Sequence, residues 1–166
     1  MAIFLAIPIL GLMVILQSAV FSQIHLLNGT VDLVLLIVIA WAVQERVTTA
    51  WHWGIIAGLL TSLATAVPAL AIIPAYVLIT GMAIYLRRIF WQRPLIAMIA
   101  ATVFATLIIQ AISVAALVIN GTPIPLIEAF YMITIPSTLL NLLLAVPVYA
   151  LIGDLANWLY PEAIEI

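Results

Sequence analysis

From Gly54 to Leu86 the chain carries no charged residue, and arginines stand on both sides of this gap: Arg46 before it, and Arg87, Arg88 and Arg93 after it. A single helix of that length would run about 50 Å at about 1.5 Å per residue, well beyond a hydrocarbon core of about 30 Å. Pro68 and Pro74 lie near the middle of the stretch. Proline removes an amide donor and disfavours helix at the residue before it. The spacing therefore predicts two helices, about 51–67 and 72–86, joined by a tight apolar turn. Such a hairpin brings both arginine patches to one side of a membrane, as the positive-inside rule favours. Trp51, Trp53, Tyr85 and Trp91 flank the same loops and are expected at the interface.

The membrane itself follows from composition. Hydrophobic residues make up 68% of the chain and charged residues 6%. A soluble domain has about 45–50% apolar and about 25% charged residues, so a water-facing surface cannot be built from this sequence. The apolar runs are continuous rather than alternating, which argues against a β-barrel. The expectation is an all-α, polytopic membrane protein with one domain over residues 1–166. Its helices are expected near 2–21, 29–43, 51–67, 72–86, 94–119 and 127–152. Met1–Phe21 lacks a charged leader region and a clear small-residue cleavage site, and is read as a retained span. With an even number of spans, both termini are expected on the cytoplasmic, arginine-bearing side. The loops 22–30, 68–72 and 120–126 then face outward. Asn28-Gly29-Thr30 and Asn120-Gly121-Thr122 match a glycosylation sequon, but both read better as turn-and-cap sequences.

Several chemistries are excluded by what is missing. Cysteine and lysine are absent, which removes thiolate nucleophiles, disulfides, thiolate metal sites and Schiff-base chemistry. No basic surface exists to neutralise phosphates, so nucleic acid is not an expected partner. His25 and His52 fall on opposite sides of the membrane in this topology and cannot share a metal ion. No HExxH, GxSxG or Gly-rich phosphate loop is present. Neither a catalytic residue nor a cofactor is expected.

Three constellations remain. Gly54, Gly58, Ser62 and Ala66 recur at every fourth residue, as do Ala97, Ala101 and Ala105, and Ala2 and Ala6. Small stripes let helix backbones approach closely in lipid. They serve either packing within one bundle or docking of another membrane protein. Pro136 and Pro147 interrupt the last helix and free the carbonyls of Met132 and Leu143. Ser137, Thr138 and Asn141 are close enough to re-satisfy freed backbone groups, so the region is either a structural kink or the wall of a substrate site. Gln17, Asp32, Gln110 and Glu128, with Ser18 and Ser113, fall in the outer halves of their helices. Asp32 and Glu128 suit helix N-termini, where a carboxylate is favoured by the helix dipole. Gln17 and Gln110 lie deeper and need hydrogen-bond partners across helices, which points to a shared outward polar pocket.

Leu16-Gln17, Val31-Asp32-Leu33-Val34-Leu35-Leu36, Trp53-Gly54 to Gly58-Leu59-Leu60, and Pro136-Ser137 with Asn141 and Ala145-Val146-Pro147 follow one another through the whole chain. Their order and spacing resemble the bacterial rod shape-determining MreD family. Val31 stands where that family usually has proline, and Ser62 where it often has aspartate, so no role is carried over to that carboxylate. The resemblance implies a non-enzymatic scaffold in the bacterial cytoplasmic (inner) membrane. It implies binding to the bitopic protein MreC and a link from MreB filaments to peptidoglycan synthesis by a RodA-type glycan polymerase with its class B penicillin-binding protein, and so to cell shape. It also implies a six-helix fold shared with the substrate-binding S components of energy-coupling-factor vitamin transporters. An S component is the alternative reading.

Overall fold

The computed structural model describes residues 2–21 and 29–161. His25 and Asn28, in the expected first outward loop, lie outside the described residues. Every regular element among the described residues is helical. The first helix, α1 (Ala2–Leu16), runs into a π-helical turn, Gln17–Phe21. Then come α2 (Leu33–Val43), α3 (Ala50–Ala64), α4 (Ala69–Ile89) and α5 (Pro94–Ile119). The last helix is built from α6 (Leu126–Ala129), a π-helical turn (Phe130–Thr134) and α7 (Ile135–Leu159).

Four stretches are long and apolar enough to cross a membrane: Ala2–Ala19, Ala69–Ile89, Pro94–Ile119 and Leu126–Leu159. Large apolar side chains cover their outer faces; Phe4, Leu70, Ile119 and Leu143 are among the most exposed. A surface of that kind is stable only against lipid or another protein. This is a helical membrane protein.

The two shorter helices sit differently. In α2 every residue from Val34 to Val43 is buried. The helix packs against α1, α3, α4, α5 and α7, forming the axis of the bundle. A helix that is apolar all round is stable when it is enclosed all round. At 11 residues it spans about 16 Å, roughly half of a hydrocarbon core. The expected helix over 29–43 therefore starts later than the sequence suggested, and residues 29–32 are not helical. Asp32 caps it, its carboxylate accepting the Leu35 amide at 2.9 Å.

The hairpin forms between α3 and α4, with residues 65–68 as the turn. Pro68 is the N-cap of α4, which starts at Ala69, slightly before the expected 72, and Pro74 lies inside it on an exposed face. The hairpin returns the chain to the arginine end. There Arg87 donates to the carbonyl oxygens of Gln44 at 2.6 Å and Val47 at 3.5 Å, tying the Arg46 loop to the end of α4. Both described ends of the chain lie at this same end. The Trp53 indole donates to the Ala2 carbonyl at 3.1 Å, and the Thr49 and Tyr160 hydroxyls are 3.3 Å apart. Trp53 thus departs from its expected interfacial place. It is fully buried and stacked on Trp41, with ring centroids 4.3 Å apart. Trp51, Tyr85 and Trp91 remain exposed.

At the opposite end α5 closes with a Schellman cap. Gly121 takes φ +86°, with its amide on Val118 O at 3.0 Å and the Thr122 amide on Leu117 O at 3.0 Å. The Asn120-Gly121-Thr122 sequence is thus accounted for as a helix terminus. Changing Gly121 to alanine places a Cβ in the left-handed region, at a cost of about 1–2 kcal/mol. The expected outcome is a small drop in the melting temperature of the detergent-solubilised protein, with no change in its helix content by circular dichroism.

Candidate functional site

The extended segment ahead of α2 is the least regular part of the bundle interior and organises the site. Non-helical backbone at membrane depth needs protein partners for its amides, because lipid offers none. Side chains supply them. The Thr30 amide donates to Ser137 Oγ at 2.9 Å, the Asp32 amide to Asn141 Oδ1 at 2.9 Å, and the Leu33 amide to Gln17 Oε1 at 3.1 Å. Ser137 and Asn141 stand one turn apart on one face of α7, so both reach the same passing strand of backbone. Both are buried, Ser137 completely and Asn141 to within 1%. Ser137, Thr138 and Asn141 were expected to help re-satisfy the Met132 and Leu143 carbonyls; instead Ser137 and Asn141 serve the extended segment, and Thr138 donates to Thr134 O at 2.7 Å.

Pro136 sits at the start of α7, and the kink it demands is absorbed by the π-turn before it, in which the Ile135 amide bonds Phe130 O. The bend brings α7 against the extended segment. A Cβ on Gly29 would lie 2.7 Å from Pro136 Cβ and 2.9 Å from the Ser137 nitrogen, so only glycine fits there. Pro147 lies farther along α7, inside the helix and on an exposed face.

These contacts border a partly open cavity of about 190 Å³ at the end of the bundle remote from the arginines. Gln17, Asp32, Thr61, Thr106, Gln110 and Asn141 are among its lining groups, as are Thr65 at the end of α3 and Ser113 on α5. Asn141 Nδ2 donates to Thr106 Oγ1 at 3.1 Å, and Thr106 in turn donates to Thr102 O at 2.8 Å. The Tyr76 hydroxyl stands 3.4 Å from both carboxylate oxygens of Asp32 and receives Thr61 Oγ1 at 3.3 Å. Those distances exceed the 2.5–3.0 Å of an ordinary O–H···O bond. The Asp32 oxygen not engaged by the Leu35 amide is therefore loosely held.

Of the expected outer polar group, Gln17, Asp32 and Gln110 share this cavity. Glu128 does not; it is exposed in the first turn of α6. Tyr76, Thr61 and Thr106 were not singled out from the sequence. Threonine and tyrosine within apolar helices read as ordinary interior residues.

The small-residue stripes lie mostly inside the bundle; Ala66, in the turn past the end of α3, is exposed. Ala97, Ala101 and Ala105 are fully buried on α5. A Cβ on Gly54 would collide with Thr80 Oγ1, and one on Gly58 would lie 3.0 Å from Ile73 Cα. Ser62 is half-buried and bonds its own helix at Leu59 O, 2.7 Å away. Of their two expected roles, these residues perform internal packing, and the surface for a partner must be sought elsewhere.

One such surface exists. Between α5 and the α6–π-turn segment runs an apolar groove of about 540 Å³. Ala111, Ala115 and Ala129 form its small-residue floor, and Leu107, Val118 and Phe130 its flanks. Gln110 borders both this groove and the polar cavity. His52 is exposed at the arginine end, and no metal-binding group of acidic, histidine or cysteine residues occurs among the described residues.

Models of known protein families, curated proteins and solved structures give no match to this chain. Fold and site together define an apolar helical bundle of the membrane with a small polar cavity and a larger apolar groove.

Proposed function

We propose that the protein is a non-enzymatic membrane scaffold of the MreD kind, which holds the transmembrane helix of a bitopic, MreC-like partner. In that role it helps couple MreB filaments to the RodA-type polymerase and its class B penicillin-binding protein in the bacterial cytoplasmic membrane. Six spans with both termini cytoplasmic belong to this reading, α2 and α3 completing the count. The S-component-like architecture also belongs to it.

The observation that carries the reading is the groove between α5 and α6. The groove runs along α5 from Leu107 to Val118, about 16 Å at about 1.5 Å per residue, with the small residues Ala111 and Ala115 one turn apart within it. That is about three turns of a docked helix. Association in lipid draws on close backbone approach over small residues, since apolar area alone gives no driving force there. The internal small stripes are already consumed, so the exposed one is the surface left for a partner. Its test is bulk in the groove. Ala115→Trp fills the floor from an exposed position without entering the core. Retention of the MreC-like protein during purification from native membranes should fall by about tenfold or more, as expected when about 1.4 kcal/mol or more of binding is lost. Normal retention with unchanged folding would remove the groove from the interface.

The polar cavity is the observation favouring the S-component alternative. Its volume weighs against it. Pockets for drug-sized ligands run to about 300–1,000 Å³, and this one has about 190 Å³.

A further inference from the structure

We propose that the polar cavity around Asp32 is a binding site for a monovalent metal cation, with sodium as the fitting ion. The cavity is a partly open recess between the helices with one carboxylate, the half-buried Asp32, among its lining groups; none of those groups is basic. A carboxylate in an apolar bundle is costly unless it is hydrogen-bonded, paired or bound to a metal; Asp32 has the Leu35 amide and the more distant Tyr76 hydroxyl, but no cationic group among the lining residues beside it. The other donors are neutral oxygens: the hydroxyls of Thr61, Thr65, Thr106 and Ser113, and the amide oxygen of Gln110. Hard cations are held by such oxygen sets. With a single negative charge, the set matches a monovalent ion. A magnesium ion would demand near-octahedral geometry and keep most of its water.

Of the two helix ends at the cavity, the α3 C-terminus favours a cation, while the α2 N-terminus offsets part of the Asp32 charge. The C-terminal end of α3, where carbonyls lack intrahelical partners, borders the cavity through Thr61 and Thr65. The α2 N-terminus also borders it, but its donors are already used: the Asp32, Leu33 and Leu35 amides bond Asn141, Gln17 and Asp32. An anion would find few free donors there. The loosely held Asp32 oxygen, with Tyr76 at 3.4 Å, is the group a cation would draw in. The cavity, about 190 Å³, has room for an ion and a few waters at about 30 Å³ each.

The full chain in detergent should bind radioactive sodium saturably, with one ion per chain. Unlabelled sodium should displace it, and choline should not. Asp32→Asn should weaken binding by roughly tenfold or more, in line with losses seen when metal-site partners are changed. If that variant does not purify folded, Ser113→Ala supplies the second comparison and should weaken binding several-fold. Absence of saturable sodium binding in the native chain would overturn the proposal. So would displacement by methylammonium in preference to sodium, which would assign the cavity to organic amines, or unchanged affinity in a folded Asp32→Asn protein. Sodium binding is read on the purified chain alone, so its outcome is independent of whether a partner helix docks in the groove.

Discussion

Replacing Gly54 with leucine is expected to force α3 and α4 apart and leave little correctly folded protein. The two helices form the tightest pair in the bundle, and Gly54 faces Thr80, where even a Cβ has no room. Thr80 cannot swing away cheaply, because it is buried and its hydroxyl is bonded to Tyr76 O at 2.7 Å. Overpacking a close-packed interior costs about 1–3 kcal/mol, and a full leucine against the buried Thr80 side chain lies at the upper end or beyond. The effect should spread to the polar cavity, since Tyr76 sits one turn away on α4 and carries the contact to Asp32. The natural control is Gly11→Leu. No atom lies within 4 Å of a Cβ built there, so that variant should elute as the parent does in fluorescence-detected size exclusion. Equal elution and equal melting temperatures for Gly54→Leu and the parent would contradict the packing assigned to this face.

The second large effect is expected at Asn141. Its carboxamide oxygen accepts the Asp32 amide and its nitrogen donates to Thr106, so one side chain joins α7, the lead-in to α2, and α5. Asn141→Leu keeps the volume but orphans the Asp32 amide in a water-poor interior. Leaving a buried donor unmatched costs about 1–3 kcal/mol. The loss should appear as a lower melting temperature in detergent and as faster hydrogen exchange at the first turn of α2. Asn120→Ala, on the exposed turn after α5, should change neither quantity. A stable Asn141→Leu protein with native protection of α2 would show that the extended segment is held by other contacts.

Part of this architecture was legible in the sequence because lipid leaves so few choices. An apolar run too long for one span, broken at Pro68 and bracketed by arginines, has to become a hairpin. The ends of α5 were marked by chemistry, with Pro94 at its first turn and Gly121 just beyond its last. Gln17, Asp32 and Gln110 could be grouped because polar side chains deep in apolar helices need one another. Other features leave no such trace. Lipid and protein interior are equally apolar, so the all-round apolar α2 reads the same whether it faces acyl chains or five other helices. Trp53 next to a basic loop reads as an interfacial aromatic until its stacking on Trp41 is seen. The extended segment 29–32 is decided by Ser137 and Asn141, more than a hundred residues away along the chain, and no local propensity encodes that. Pro74 reads as a helix breaker, yet a membrane helix tolerates it. The stripes at Gly54 and Ala97 showed that backbones approach closely, but not which backbones; the structure turns them inward and leaves Ala111 and Ala115 at the surface.

The proposal that the groove between α5 and α6 holds a partner's membrane helix is tested most directly by cysteine crosslinking in native membranes. The chain has no cysteine of its own, so one residue placed at Ala115 gives a single reactive position. A second chain carrying Leu63→Cys, on an exposed face away from the groove, serves as the reference. The expected result is a specific adduct at position 115 with a single-span, MreC-like protein, absent at position 63. An equal pattern at both positions, or co-recovery of two ATPase subunits with their coupling protein in place of the bitopic partner, would contradict the scaffold reading.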